Sequence, residues 1–159
     1  METLLKLLRD NPRISVSELS KLLNISEDEV NKRIKQLQDN GIILGYRTVL
    51  NEEKIGLDLV RALIEVKITP ERGGGFDRLA ERIAKYDEVR SCYLMSGAYD
   101  LMVIVEGDSL KDVARFVSEK LATIPGVIST STHFMLKPYK EQGILVKREE
   151  NNERLPVTP

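Results

Sequence analysis

At 159 residues, with 42% hydrophobic and 31% charged side chains, the chain has an ordinary globular composition and enough length for one domain or two small ones. A formal net charge of −1 excludes bulk basicity as a route to nucleic acid, so such a role requires a local patch. The single cysteine, Cys92, excludes an intramolecular disulfide and fits a reducing compartment, and with one histidine no four-ligand zinc site can be built. No apolar run approaches the roughly 20 residues that span a bilayer, and the N-terminus lacks a signal-peptide pattern. The expectation is a cytoplasmic protein without a membrane partner.

In chain order, residues 1–41 read as three short helices. Leu4, Leu7 and Leu8 fall at i, i+3, i+4, and Asn11-Pro12 stops that helix. Ser15-Val16-Ser17-Glu18 is a capping box, followed by the buried stripe Leu19, Leu22 and Leu23. A second box, Ser26-Glu27-Asp28-Glu29, opens a helix with Val30, Ile34 and Leu37 inward and Asn40-Gly41 at its end. Two helices joined by so short a turn, with a third before them, make a helix-turn-helix.

Ile42–Asn51 reads as extended and Glu52–Leu59 as a polar connection. The predicted domains are therefore 1–50, a linker over 51–60, a second domain over 61–146, and a charged loose tail over 147–159. Arg61–Thr69 alternates, with Ala62, Ile64, Val66 and Ile68 on one apolar face. Pro70–Gly75 is a loop, and Phe76, Leu79, Ala80 and Ile83 mark a helix. Val89–Met95 and Leu101–Val105 flank a Gly-containing break and form a hairpin, its second strand buried on both faces. Ser109 caps a helix with the stripe Leu110, Val113, Ala114, Val117 and Leu121, and Val127–Leu136 is a last long strand. The fold class is α+β: a winged-helix-like helix-turn-helix domain, then a ferredoxin-like βαββαβ domain.

This order, with Gly41-Ile42-Ile43-Leu44-Gly45-Tyr46 after the third helix and Ser96-Gly97-Ala98-Tyr99-Asp100 in the hairpin, resembles the Lrp/AsnC, or feast/famine, family of bacterial and archaeal transcription regulators. The likeness runs from Leu4 to Tyr139. It implies a non-enzymatic regulator whose second half dimerises through its sheet and assembles further into tetramers or octamers. It also implies an effector, commonly an amino acid, bound near the Gly-x-Tyr-Asp hairpin between dimers.

On the third helix the resemblance points to Asn31 for an adenine edge and to Lys32, Arg33 and Lys35 for phosphates. Asp28–Lys32 and Lys35–Asp39 are i, i+4 pairs, so the same face also reads as a salt-bridged solvated surface. Residues 1–50 carry eight Lys/Arg against seven Asp/Glu, a net of +1, which is low for a DNA-binding module. A sensor or oligomerisation protein of the same fold, without sequence-specific DNA binding, is the alternative.

For the effector, Gly97 permits close approach of backbone N–H groups to a carboxylate. Asp100 suits an α-ammonium, Ser96 offers a hydroxyl, and Tyr99 a flat wall with a polar tip. Asp100 bracing the turn is the plain alternative. Thr130 and Thr132 join the site if the last strand lies beside the loop. They share the side of Ile128 and Phe134, while Ser129, Ser131 and His133 face the other way. Gly73-Gly74-Gly75 lacks both nucleotide-binding continuations and reads as a loop, and Cys92 as a small buried hydrophobe. No catalytic residues, metal site or cofactor are expected. Some haem-pathway decarboxylases share a regulator-like scaffold but depend on histidines, of which this chain has one. Half-covered as it is, the sheet leaves Leu63, Tyr93 and Met95 needing a second copy.

Overall fold

The computed structural model describes residues 2–70 and 75–146, in two compact units, one ending at Thr48 and the other starting at Val49. The expectations for Gly73-Gly74 and for the tail from Lys147 fall outside the described residues.

The first unit holds α1 (Glu2–Asp10), α2 (Val16–Leu23) and α3 (Glu27–Asp39). The Ser15 hydroxyl accepts the Glu18 N–H at 3.1 Å and the Glu18 carboxylate accepts the Ser15 N–H at 3.0 Å, a complete capping box. The Ser15 N–H, and the Ser15 hydroxyl donating to the same carboxylate at 2.8 Å, hold the exposed Glu18 carboxyl below the usual range. The second box closes only one way. Ser26 accepts the Glu29 N–H at 3.2 Å, but the Glu29 carboxylate turns to Arg33 at 2.7 Å. Asn24 ends α2 in the left-handed region, at φ 52°, and produces the sharp turn into α3. Leu4, Leu8, Leu19, Val30 and Leu37 make the core, with Ile14, Ile25, Ile34 and Ile43 against it.

Ile42–Asn51, expected to be extended, forms no strand. The Ile42 and Ile43 amides both bond back to the Leu37 carbonyl, folding Ile43 onto the helical core, while Leu44 stands 93% exposed. An extended pattern becomes a strand only where a second strand meets its backbone groups, and no described residue does so here.

The second unit begins with the short helix α4 (Glu52–Ile55), capped by the Asn51 side chain. Then follow β1 (Val60–Ile68), α5 (Asp77–Ala84), β2 (Val89–Leu94), β3 (Leu101–Gly107), α6 (Leu110–Arg115), β4 (Val127–Phe134) and a small β5–β6 hairpin (Lys140–Glu141 and Ile144–Leu145). The four long strands form one antiparallel sheet in the order β2-β3-β1-β4. Ala62, Ile64, Val66 and Ile68 of β1 and Leu101, Val103 and Val105 of β3 are buried beneath Leu79 and Ile83 of α5 and Val113, Phe116 and Leu121.

Three details depart from the periodic pattern. The helices cover one sheet face only, so Met102 and Ile104 of β3 stay half-buried rather than fully enclosed. After α6 the helix widens into a π-helical stretch, Phe116–Leu121, with the Ala122 amide on the Val117 carbonyl at 2.8 Å. The widened turn keeps Leu121, five residues after Phe116, on the buried side with Val113 and Phe116, while Leu110 and Ala114 of α6 face solvent. On β4 the register slips beside Lys67/Ile68, so Val127 meets Ile68 and packs on the core, and Ile128 is exposed.

Candidate functional site

On α3, burial of Val30 and Leu37 with Ile34 beside them leaves Asp28, Asn31, Lys32, Lys35 and Asp39 exposed. The expected Asp28–Lys32 and Lys35–Asp39 ion pairs are absent among the described residues, so both ammonium groups stand free. Arg33 is different. It is half-buried, and its guanidinium holds Glu29, whose carboxyl is kept below its usual range by that hydrogen bond. The free outward groups are therefore Asn31, Lys32 and Lys35. Sequence reasoning passes over Gln36, exposed and one turn beyond Lys32, whose amide can also read a base edge. Its offset of four from Lys32 is the signal that finds it.

At the hairpin, Ser96, Gly97 and Ala98 are exposed, and Gly97 sits at φ 140°, a backbone conformation that side chains disfavour. Tyr99 and Asp100 are half-buried. The Asp100 amide bonds the Val66 carbonyl at 3.0 Å, its carbonyl accepts the Met95 amide at 2.8 Å, and one carboxylate oxygen accepts the Ile68 amide at 2.8 Å. Asp100 thus braces the end of β1, a strand distant in sequence, and its second oxygen is unshared among the described residues. Thr130 lies opposite Val66 on the far side of β1, so one strand separates it from Asp100. Thr132, opposite Ile64, is two residues further along. Both point to the helix-covered side with Val66 and Ile64, as Phe134 does opposite Ala62.

None of these six residues lines either of two cavities in the structure. One, about 290 Å³, lies at the opposite end of β3 between Glu106, Val113 and Phe116; the other, about 720 Å³, is an open groove between α1 and Ile42–Arg47. The loop is an exposed corner, not a pocket, within a single chain.

Glu106 of the second unit has a nearly buried charged side chain, 7% exposed. It accepts from Arg61 Nε at 2.9 Å and from Arg90 Nε and Nη2 at 3.1 and 2.8 Å, and Arg61 also holds Glu52 of α4. Burial pushes the Glu106 carboxyl up, but the two guanidiniums outweigh it and hold it below the usual range. No sequence spacing announces this network, because Arg61 and Glu106 are 45 residues apart.

A model of the Lrp/AsnC ligand binding domain matches residues 61–145, and one of a winged helix-turn-helix DNA-binding domain matches residues 2–43. The chain belongs to the Lrp/AsnC family. Among relatives of this family, the HTH-type transcriptional regulator YugG of Bacillus subtilis is 43% identical over 157 residues, 98% of this chain and 95% of that protein. The proline dehydrogenase transcriptional activator of Rhizobium radiobacter is 35% identical, over 89% of this chain and 90% of its own. Of solved structures, a transcriptional regulator from Neisseria meningitidis in complex with L-Met superposes with a TM-score of 0.67 at 30% identity, covering 89% of this chain and 91% of that one. E. coli AsnC follows with a TM-score of 0.61 at 25% identity, over 85% and 89%. As a member of the Lrp/AsnC family, the protein is a DNA-binding transcriptional regulator with a ligand-binding domain, and the family is not one of enzymes. No helix among the described residues is long and apolar enough to cross a membrane.

Proposed function

We propose that this regulator binds DNA through Asn31, Lys32 and Lys35 of α3 and responds to a free amino acid at the hairpin of Ser96, Gly97, Tyr99 and Asp100, acting as a homodimer that assembles further. The observation that carries the effector half is the state of Asp100. One oxygen fixes the carboxylate in place through the Ile68 amide, and the other remains available to an ammonium group beside exposed Gly97 and Ser96. Thr130 is close enough to take part only from across β1, and Thr132 less so. The L-Met bound by the Neisseria relative supports an amino acid as the ligand class. For the DNA half, the free Lys32 and Lys35 ammonium groups support phosphate contact. The half-covered sheet face carrying Leu63, Met102, Ile104 and Tyr93, the last 51% exposed, supports pairing with a second copy. Because the hairpin is an open corner in one chain, neighbouring copies supply the remaining walls.

A thermal-shift screen of the twenty amino acids and related keto acids tests the effector site. A true effector at about 100 times its Kd stabilises the fold by roughly 2.7 kcal/mol, a clear rise in Tm. Asp100→Ala abolishes that rise, while Asp100→Asn, which keeps the acceptor for the Ile68 amide, separates loss of ligand from loss of the brace. An Asp100→Asn variant that still responds in full places the ligand elsewhere.

A further inference from the structure

The only histidine of the chain, His133, stands on the open face of the sheet. Its Nε2 lies 3.4 Å from a Glu65 carboxylate oxygen and 3.3 Å from the Ser131 hydroxyl. Cross-strand pairing sets Leu63 beside His133 and Ile104 beyond Leu63, while Glu65 adjoins Met102. The pair therefore borders the apolar patch completed by Tyr93. The other charged or titratable groups on this face are Arg61 and Lys67 of β1, Glu106 of β3, and Arg90 and Tyr93 of β2; β4 adds only Ser129 and Ser131. Arg61, Arg90 and Glu106 are bound to one another and to Glu52 of α4. Lys67 makes no ion pair among the described residues and points along the same face one step beyond Glu65.

We propose that His133 and Glu65 form a proton-operated latch for self-association, tightening the dimer as pH falls through neutrality. The inference rests on the proposed pairing of open sheet faces and names what regulates it. In the single chain the pair is half in water and contributes little. Covered by a second copy, both groups lose that water. A neutral imidazole can donate Nε2–H to Glu65 but leaves a buried negative charge, which is costly. The imidazolium makes the same bond and cancels the charge. The covered state therefore holds this proton more tightly than the free chain does, and imidazole gains and loses it between about pH 5 and 8. Pairing by a twofold axis puts two such latches in one dimer. If each proton is held about tenfold more tightly, association strengthens by up to about 100-fold.

Fluorescence-detected sedimentation of the full chain, diluted at constant ionic strength between about pH 8 and about pH 5.5, reads this directly. The expected result is a dimer Kd that falls by about 10- to 100-fold over that range. His133→Gln abolishes the dependence. Glu65→Gln reverses it, because an imidazolium buried without its carboxylate then opposes association. Where the dimer is too tight to dilute apart, the rate of subunit exchange between two dye-labelled samples reports the same trend. A wild-type dimer with the same Kd or exchange rate at every pH, or a His133→Gln dimer that keeps the slope, overturns the latch and leaves the pairing of faces standing. A monomer at every pH overturns both.

Discussion

Replacing Glu106 by Ala removes the centre of a four-residue charge network and should destabilise the second unit measurably. The carboxylate is nearly buried at 7% exposure, Arg61 is 21% exposed and Arg90 is 50% exposed. Removing one partner of a fully buried pair costs about 3–5 kcal/mol, since the other charge is stranded. Here the stranding is partial. Arg90 turns into water at little cost, while Arg61 keeps Glu52 but loses its bond to Glu106. Those considerations bring Glu106→Ala to about 2 kcal/mol, and Glu106→Gln, which retains an acceptor without its charge, to about 1 kcal/mol. Urea unfolding at fixed protein concentration measures both, followed by tyrosine fluorescence, since Tyr86, Tyr93, Tyr99 and Tyr139 all lie in the second unit. With a slope of about 1–3 kcal/mol per molar urea, the Ala variant's midpoint falls by about 1 M. A double-mutant cycle with Arg61→Met should return a coupling of about 1 kcal/mol. Unchanged midpoints for both single variants, or strict additivity with Arg61→Met, would refute the network as a source of stability.

Acid should attack the same region. The lowered carboxyls of Glu106 and of Glu88, the latter held down by its hydrogen bond from Lys120, contribute stability that is fully present above the unfolded value near pH 4.3 and lost as pH falls through the folded values; a pH series of melts with Glu88→Gln and Glu106→Gln should show a shallower acid limb. Lys32→Ala and Lys35→Ala should each weaken DNA binding and reduce the salt slope by about one, whereas Arg33→Ala leaves the slope in place because that guanidinium is held by Glu29; anisotropy titrations at several salt concentrations compare them. Gly126→Ala should cost about 1–2 kcal/mol in a thermal melt, because the position has φ 97° and an added Cβ would lie 3.3 Å from Leu79.

The helical starts, most inward leucines of the first unit and the strand-helix alternation of the second were legible in the chain, because they depend on neighbours one to four residues apart; Leu22, expected in the buried stripe of α2, is 63% exposed. Ser15 and Glu18 illustrate this: a three-residue spacing suffices to satisfy two free amides, whatever else the chain does. The same is true of β1, where Ala62, Ile64, Val66 and Ile68 alternate onto one face and are all buried. Where the pattern misleads, a local defect changes its phase. The π-helical stretch sets Leu121, five residues after Phe116, on the same buried side, and the slip on β4 turns Ile128 outward. A single inserted residue in a helix or strand carries almost no sequence signature, since its cause is the fit against the neighbouring layer.

The proposed site residues divide along the same line. Sequence alone placed Asn31, Lys32 and Lys35 on the outer face of α3 and set Ser96–Asp100 in a turn, because helical offset and turn chemistry are local. Only the tertiary structure decided what those side chains have as partners. Asp28 and Lys32 stay apart while Glu29 takes Arg33, although both pairs have the same spacing. Asp100 braces β1 through the amide of Ile68, 32 residues away, and His133 meets Glu65 across β4 and β1. Pairings of that range are set by sheet order and register, which come from burying one continuous apolar face and not from any spacing along the chain.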